Sequence, residues 1–352
     1  MFYRMCLCNW YESMRGKTYI IAEIGVNHNG SLTLAKTLIQ RLSLIGADAV
    51  KFQLSIPEEV YSSDSFKPEY QLKNEESVSP LEMSQKFQLH FEDHEELYNT
   101  CRDNRVDYLC SAFDIQSLQF LDKHFDLPFF KIASGEIFTL DMLEYISQRD
   151  RPILLSTGMA TYKEMEISIE LLNKNFKKDI TLLHCVSNYP VPEEDVNLNV
   201  ISELQHRFRC DVGFSDHTLG STCAIAAVAL GAVVIEKHVT ADRNMSGPDH
   251  KASVGIDEFA QYVKVIRTVE KSLGGREKKF SSAELEIKKA ARKSIVAKRD
   301  LVPGEIISSS DICYKRPGTG YTPLEKNAVV GQKVKCAIGS NRVIMREHLL
   351  CQ

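Results

Sequence analysis

Eight short apolar runs, each ending on polar residues and most separated by a stretch of helical character, constrain this chain more than any other feature. They are YIIAE (Tyr19–Glu23), DAVKFQ ending at Gln53, VDYLCS, PFFKIAS, PILLST, ITLLHC, DVGFSD and AVVIEKHV. Strands that alternate with helices run parallel, because each crossover brings the chain back in the same direction. Eight such units in succession predict a closed (β/α)8 TIM barrel. The rival is an open doubly wound sheet, which usually carries a Gly-rich phosphate turn after its first strand. The corresponding turn here is GVNHNG, without the G-x-G-x-x-G spacing, and the barrel is the preferred reading.

The pattern stops near Gly274–Gly275. Residues 17–275 are read as the barrel, 276–293 as a charged linker and 294–352 as a small β-rich domain, with residues 1–16 a disordered extension. Within the small domain SIVAK, EIIS and KVKCAI read as strands, with turns at Pro303–Gly304 and Pro317–Gly318. A formal net charge of −4 argues against broad electrostatic binding to nucleic acid or anionic membrane. No run approaches a membrane span. The ten cysteines form no compact framework and no signal peptide is evident, so a cytoplasmic protein with reduced thiols is expected.

In such barrels chemistry gathers at the C-terminal ends of the strands, and alternation decides which side chains face the mouth. In VVIEKHV, Val234, Glu236 and His238 share one face. In VGFSDH, Gly213, Ser215 and His217 share one face. On neighbouring strands His217 and His238 would sit side by side with Glu236 below them. Neutral imidazoles are common ligands of divalent transition metals, and two of them leave positions open for water and substrate. Either histidine alone reads more readily as a structural or exposed residue; the two on adjacent strand ends, with Glu and Asp nearby, make the metal reading as good as the structural one. Asp216 is read either as an acceptor that orients a ligating histidine or as the cap of the following helix.

Lys51 and Lys131 lie inside apolar strands, where an unpaired charge is costly. With Ser111, Ser134 and Ser156 they would hold a small anion carrying phosphate and carboxylate. The alternatives are structural pairing with Glu23 or Glu136, and Schiff-base chemistry at either lysine. Glu23 reads as a general acid or base, or as a partner of a lysine.

The stretches AEIGVNHNGS, VKFQ, FKIASGE, LLSTGM, LLHCVSNYPVP, FSDHTLG, IEKHVT, SGPDHKAS and KRPGTG, in this order from about Lys17, resemble the sialic acid (N-acetylneuraminate, or nonulosonic acid) synthase family. The C-terminal segment resembles that family's antifreeze-like domain, the SAF domain of β-clip type. The resemblance implies a domain-swapped homodimer that condenses phosphoenolpyruvate with N-acetylmannosamine and releases phosphate. Alternatives within it are the di-N-acetyl trideoxy sugar that gives legionaminic acid, and a 6-phosphorylated mannosamine. Two further readings are a Schiff-base aldolase and a non-catalytic sugar-binding protein. It implies a metal, manganese first and magnesium or cobalt otherwise, on His217 and His238. It places Lys51, Ser111, Lys131, Ser134, Ser156 and Ser215 around phosphoenolpyruvate, and Glu23, Gln53, Tyr189, Glu136 and Asp249 on the sugar side. Glu236 matches the carboxylate beside the metal, and Arg316 the arginine that crosses the dimer to the acyl sugar. Ser187 stands where some members have asparagine near the phosphate, and SGPD replaces the more usual PGPD before Asp249. In the loop 70–83, Gln71 or Asn74 would contact sugar. The choice between Glu23 and Glu236 as acid/base stays open.

Overall fold

The computed structural model describes residues 17–68, 71, 72, 76, 79–175 and 177–350. Asn74 and residues 1–16, about which the sequence raised expectations, lie outside them. Two compact units divide between Gly274 and Gly275.

The first unit is a closed barrel. Its strands are β1 (Tyr19–Gly25), β2 (Ala49–Leu54), β3 (Asp107–Ala112), β4 (Phe130–Ile132), β5 (Ile153–Ser156), β6 (Ile180–His184), β7 (Val212–Asp216) and β8 (Val234–Thr240). They pair in sequence order, all parallel, and β1 pairs with β8 to close the ring. A two-residue β9 (Val254–Gly255) adds to the end of β8. The helices that follow the strands in turn are α1 (Leu32–Ile45), α2 (Phe91–Asp103), α3 (Ile115–His124), α4 (Leu140–Ser147), α5 (Tyr162–Leu172), α6 (Asn199–Phe208), α7 (Thr222–Ala229) and α8 (Ile256–Leu273). Local signals bound some of them. For α1, the Ser31 hydroxyl accepts from the Leu34 amide, and Gly46 ends the helix at φ 100°. Between β2 and α2 two short helices, Pro57–Val60 and Pro80–Phe87, overhang the C-terminal ends of the strands.

Alternation along the strands splits the core into two layers. Ile20, Ala22, Val50, Phe52, Phe214 and Ile235 point outward into the helix–strand layer. Tyr19, Ile21, Ala49, Leu109, Phe129, Leu154, Leu183 and Val234 fill the barrel interior. The inward positions two residues further on are Glu23, Lys51, Ser111, Lys131, Ser156, Cys185 and Glu236. The apolar plug thus forms the floor on which a polar layer rests. At Gly213 an added Cβ would stand 2.6 Å from the Val234 carbonyl oxygen and from a Leu183 methyl, so the floor has no room for a side chain there.

The second unit opens with α9 (Ser282–Ala291), which has no buried residue, inside the span read as a linker. Antiparallel β10 (Ser294–Ala297) and β11 (Ile312–Lys315) follow. The strands expected at EIIS and KVKCAI are not formed. Ile306 and Lys333, and Leu301 and Ile338, meet only as single-residue bridges, and the regular partner of SIVAK is ICYK. Repeated turns break these runs before a ladder of useful length can form. Ile295, Leu301, Ile307, Ile312, Val334 and Ile344 make a separate small core.

Candidate active site

The mouth of the barrel holds a cavity of about 920 Å³. Its base is the polar layer. Strand register sets Glu23 opposite Lys51 on β1–β2 and opposite His238 on β1–β8. Ser111 stands opposite Lys131 on β3–β4, and Ser215 opposite Glu236 on β7–β8. Parallel pairing therefore converts residues far apart in sequence into neighbours.

Lys51 Nζ lies 3.0 Å from Glu23 and 3.5 Å from Glu236, and donates to Ser111 Oγ at 3.2 Å. Lys131 Nζ lies 3.8 Å from Glu236 and donates to Ser156 Oγ at 2.7 Å. Ser215 Oγ donates to Glu236 Oε1 at 2.8 Å, and Gln53 Nε2 to Glu23 Oε1 at 2.8 Å. All four charged side chains are buried. Burial alone would raise both carboxyls. For Glu236 the two ammonium groups and the Ser215 hydroxyl win, holding it down at about 2. For Glu23 burial wins over Lys51, with the Glu236 charge adding to it, and the carboxyl rises to about 7. Burial lowers Lys131. Lys51, facing both glutamates, ends above its ordinary value.

His217 and His238 stand side by side with ring centres 5.6 Å apart. His217 Nδ1 meets the Val186 carbonyl oxygen at 2.8 Å, so it carries the proton and leaves the Nε2 lone pair for another partner. His238 Nδ1 is buried without a hydrogen-bond partner, and Asp249 stands 4.0 Å away. Burial pushes both imidazoles down toward the neutral form, and pushes Asp249 up to about 6. Two neutral, desolvated imidazoles, His217 Nε2 meeting the Ser215 hydroxyl oxygen at 3.3 Å and His238 Nδ1 unbonded, fit a divalent metal. Among the described residues no group of three or more His, Cys, Asp or Glu side chains could hold an ion by itself, so these two are what the chain would offer.

The other expected residues are distributed unevenly. Ser134, Ser187, Tyr189, Gln71 and Asp249 line the cavity, and the Tyr189 ring lies 4.2 Å from that of His217. Glu136 does not line it; its carboxylate accepts from Thr139. Asp216 bonds directly to no histidine and caps no helix. It points to the outer face of the barrel and pairs with Lys237 at 3.0 Å, because alternation turns the residues flanking His217 and His238 away from the mouth. Arg316 is exposed in the second unit and donates to the Ala291 carbonyl at 2.8 Å. Sequence reasoning missed Cys185, whose inward place follows from Leu183 by alternation, and Tyr61, Met83, Phe87, Phe113 and Lys251. The last five come from loops and short helices, where no period announces direction.

Fold and cavity together define a (β/α)8 barrel whose mouth is floored by buried lysines and glutamates. The NeuB family model matches residues 38–278, and the SAF domain model matches residues 292–350. The chain is 44% identical to N,N'-diacetyllegionaminic acid synthase of Campylobacter jejuni, over 90% of this chain and 95% of that protein. It is 34% identical to human N-acetylneuraminate-9-phosphate synthase, over 94% and 92%. A crystal structure of N-acetylneuraminic acid synthetase from Leptospira borgpetersenii superposes with a TM-score of 0.69 at 30% identity, covering 77% of this chain and 90% of that one. The chain belongs to the NeuB family, the nonulosonic acid synthases, with a C-terminal SAF domain, and it is an enzyme that forms a carbon–carbon bond. No helix among the described residues is long and apolar enough to cross a membrane.

Proposed function

We propose that this protein condenses phosphoenolpyruvate with the open-chain form of 2,4-diacetamido-2,4,6-trideoxymannose, giving N,N'-diacetyllegionaminic acid and inorganic phosphate. The observation that carries the reaction is the set of buried Lys51, Lys131, Glu23, Glu236 and His217 with half-buried His238, all lining one cavity. The choice of sugar reverses the order expected from sequence, which put N-acetylmannosamine first. It is supported by 44% identity to a diacetyllegionaminic acid synthase against 34% to the human 9-phosphate synthase. It is also supported by Val60, Met83 and Phe87, an apolar wall suited to a deoxy methyl and a second acetyl group rather than to a phosphate.

In this reading Lys51 and Lys131 grip the carboxylate and phosphate of phosphoenolpyruvate, with Ser111 and Ser156 as further donors. Its methylene carbon forms the new bond to the sugar aldehyde carbon. Water adds to the phosphate-bearing carbon, and the C–O bond to phosphate then breaks to leave the keto acid. Glu23 takes the proton from water, and that proton ends on the new hydroxyl of the former aldehyde. Glu236, fixed as an anion, keeps both lysines charged and aimed. His217 and His238 would hold the divalent ion, manganese first among the candidates, which supplies Lewis-acid polarisation of a carbonyl oxygen. Arg316 reaches the acyl sugar from the second chain of a domain-swapped homodimer.

One assay tests the reaction and the sugar. The purified protein receives phosphoenolpyruvate, manganese and, separately, the diacetamido trideoxymannose, N-acetylmannosamine and its 6-phosphate. Phosphate release is expected with the first at a kcat/KM at least about tenfold above the others, the discrimination that one or two small groups in an apolar pocket provide. Release with none of them would sink the reaction. A preference for either other sugar would sink the sugar assignment alone.

A further inference from the structure

We infer that a clasp on the outer wall of the barrel, built from Asp216, Lys237, Thr218 and Tyr262, positions His217 and His238 for metal binding; the inference rests on the proposed metal role of those two histidines. The β7–β8 ladder ends at the pair Asp216 and Lys237. His217 lies one residue past the ladder, so strand hydrogen bonds do not hold its backbone. Other bonds do. Asp216 Oδ1 accepts from the Thr218 amide at 2.9 Å and from the Thr218 hydroxyl at 2.6 Å. Lys237 Nζ donates to the Thr218 carbonyl and pairs with Asp216 Oδ2 at 3.0 Å. The Tyr262 hydroxyl, from α8, donates to the same Oδ2 at 2.8 Å. On the inner side the Val191 amide donates to the His217 carbonyl at 3.0 Å.

Residues 216 and 218 are thereby locked on both sides of His217, and the lock is a lysine flanked by Glu236 and His238. One buried ion pair thus ties the two strand ends that carry the two imidazoles. Asp216, Lys237, Thr218 and Tyr262 are all about 2% exposed or less, and none of them lines the cavity. They are positioning residues and touch no reacting atom. An isolated buried ion pair is often replaceable by apolar residues of similar volume without loss of stability. A positioning clasp is not, because the apolar pair cannot hold the Thr218 amide and carbonyl.

That difference gives the test. Manganese binding to the full-length protein is read from the electron paramagnetic resonance signal of the free ion, alongside the melting temperature. The variants are Asp216→Leu with Lys237→Met together, Thr218→Val, and His238→Ala. Thr218→Val keeps the side-chain volume and removes the 2.6 Å bond. The clasp predicts that the double variant melts lower, because the Thr218 and Tyr262 groups lose their partners, and that once folded it binds manganese about 10- to 100-fold more weakly. Thr218→Val should weaken binding in the same direction, while His238→Ala abolishes it. Should the double variant fail to fold, Thr218→Val decides. Manganese affinity within twofold of wild type in either folded clasp variant overturns the clasp and leaves the metal site standing. No manganese uptake by the wild-type protein overturns the metal reading and the clasp with it.

Discussion

Glu23 and Glu236 are both buried and both pair with Lys51, yet they are held at opposite ends of the carboxylate range. Glu236 also faces Lys131 and accepts from Ser215, so its charge is anchored. Glu23 has one lysine and a neighbouring negative charge, and burial prevails. Of the two, Glu23 is the one poised to exchange a proton near neutrality, which separates two residues that sequence left equivalent. Glu23→Gln should therefore lower kcat about 10²- to 10³-fold while the KM for phosphoenolpyruvate stays within a few-fold. Glu236→Gln, which loosens both lysines, should raise that KM instead. Steady-state phosphate release separates the two; a Glu23→Gln enzyme with full kcat would remove Glu23 from the chemistry. At this scale the sequence was legible wherever alternation applied. Lys51, Lys131, Glu236, His217 and His238 all face the mouth, as period two requires. Asp216 was weighed by its closeness in sequence to His217, and alternation instead turns it away from the mouth, toward Lys237.

The apolar floor has one position where size rather than polarity decides. At Gly213 a methyl group would meet backbone oxygen, which cannot move without breaking the β7–β8 ladder. Gly213→Ala should cost about 1–3 kcal/mol in urea unfolding, whereas Gly135→Ala, with nothing within 4 Å of the added carbon, should cost little. In the second unit, Asp311 accepts from the Ser308 hydroxyl and amide and pairs with Arg299, which holds its carboxyl below the usual range. A depressed carboxyl stabilises above its unfolded pKa of about 4 and loses that effect as pH falls through the folded value. Asp311→Asn should therefore destabilise the second unit at pH 7, and the gap should close on acidification toward pH 3. Urea titrations of both proteins across that range check it; a gap that widens in acid would contradict the assignment. Element types in this unit were the least legible part of the chain. Runs such as EIIS and KVKCAI have strand composition, but turns at Gly304 and Gly331, both at φ 89°, stand just before them, and their pairing is limited to single-residue bridges.

For the whole molecule, the barrel was readable because eight repeats of one pattern reinforce each other, and each uncertain strand is fixed by its neighbours. The small domain offers no such repetition. The proposed exchange of domains between chains has a direct test in mixed dimers. Glu23→Gln disables the barrel of its own chain but leaves Arg316 intact, and Arg316→Ala does the reverse. Unfolded together and refolded at equal concentration, the two inactive proteins should recover about a quarter of wild-type activity. Half of the random dimers are mixed, and each of those holds one intact site. Recovery of nothing would argue that Arg316 serves its own chain or serves no site.

The seam where β1 meets β8 runs through the middle of the cavity floor, with Glu23 on one side and His238 on the other. The first and last strands of the barrel thus each own part of the binding surface, and neither part is competent while the ring is open. Any ligand that spans them acts as a latch on the seam. It favours the closed ring over every opened form in proportion to its concentration relative to its affinity. The anion and the metal that would serve the chemistry are in that sense also the last cross-links of the fold.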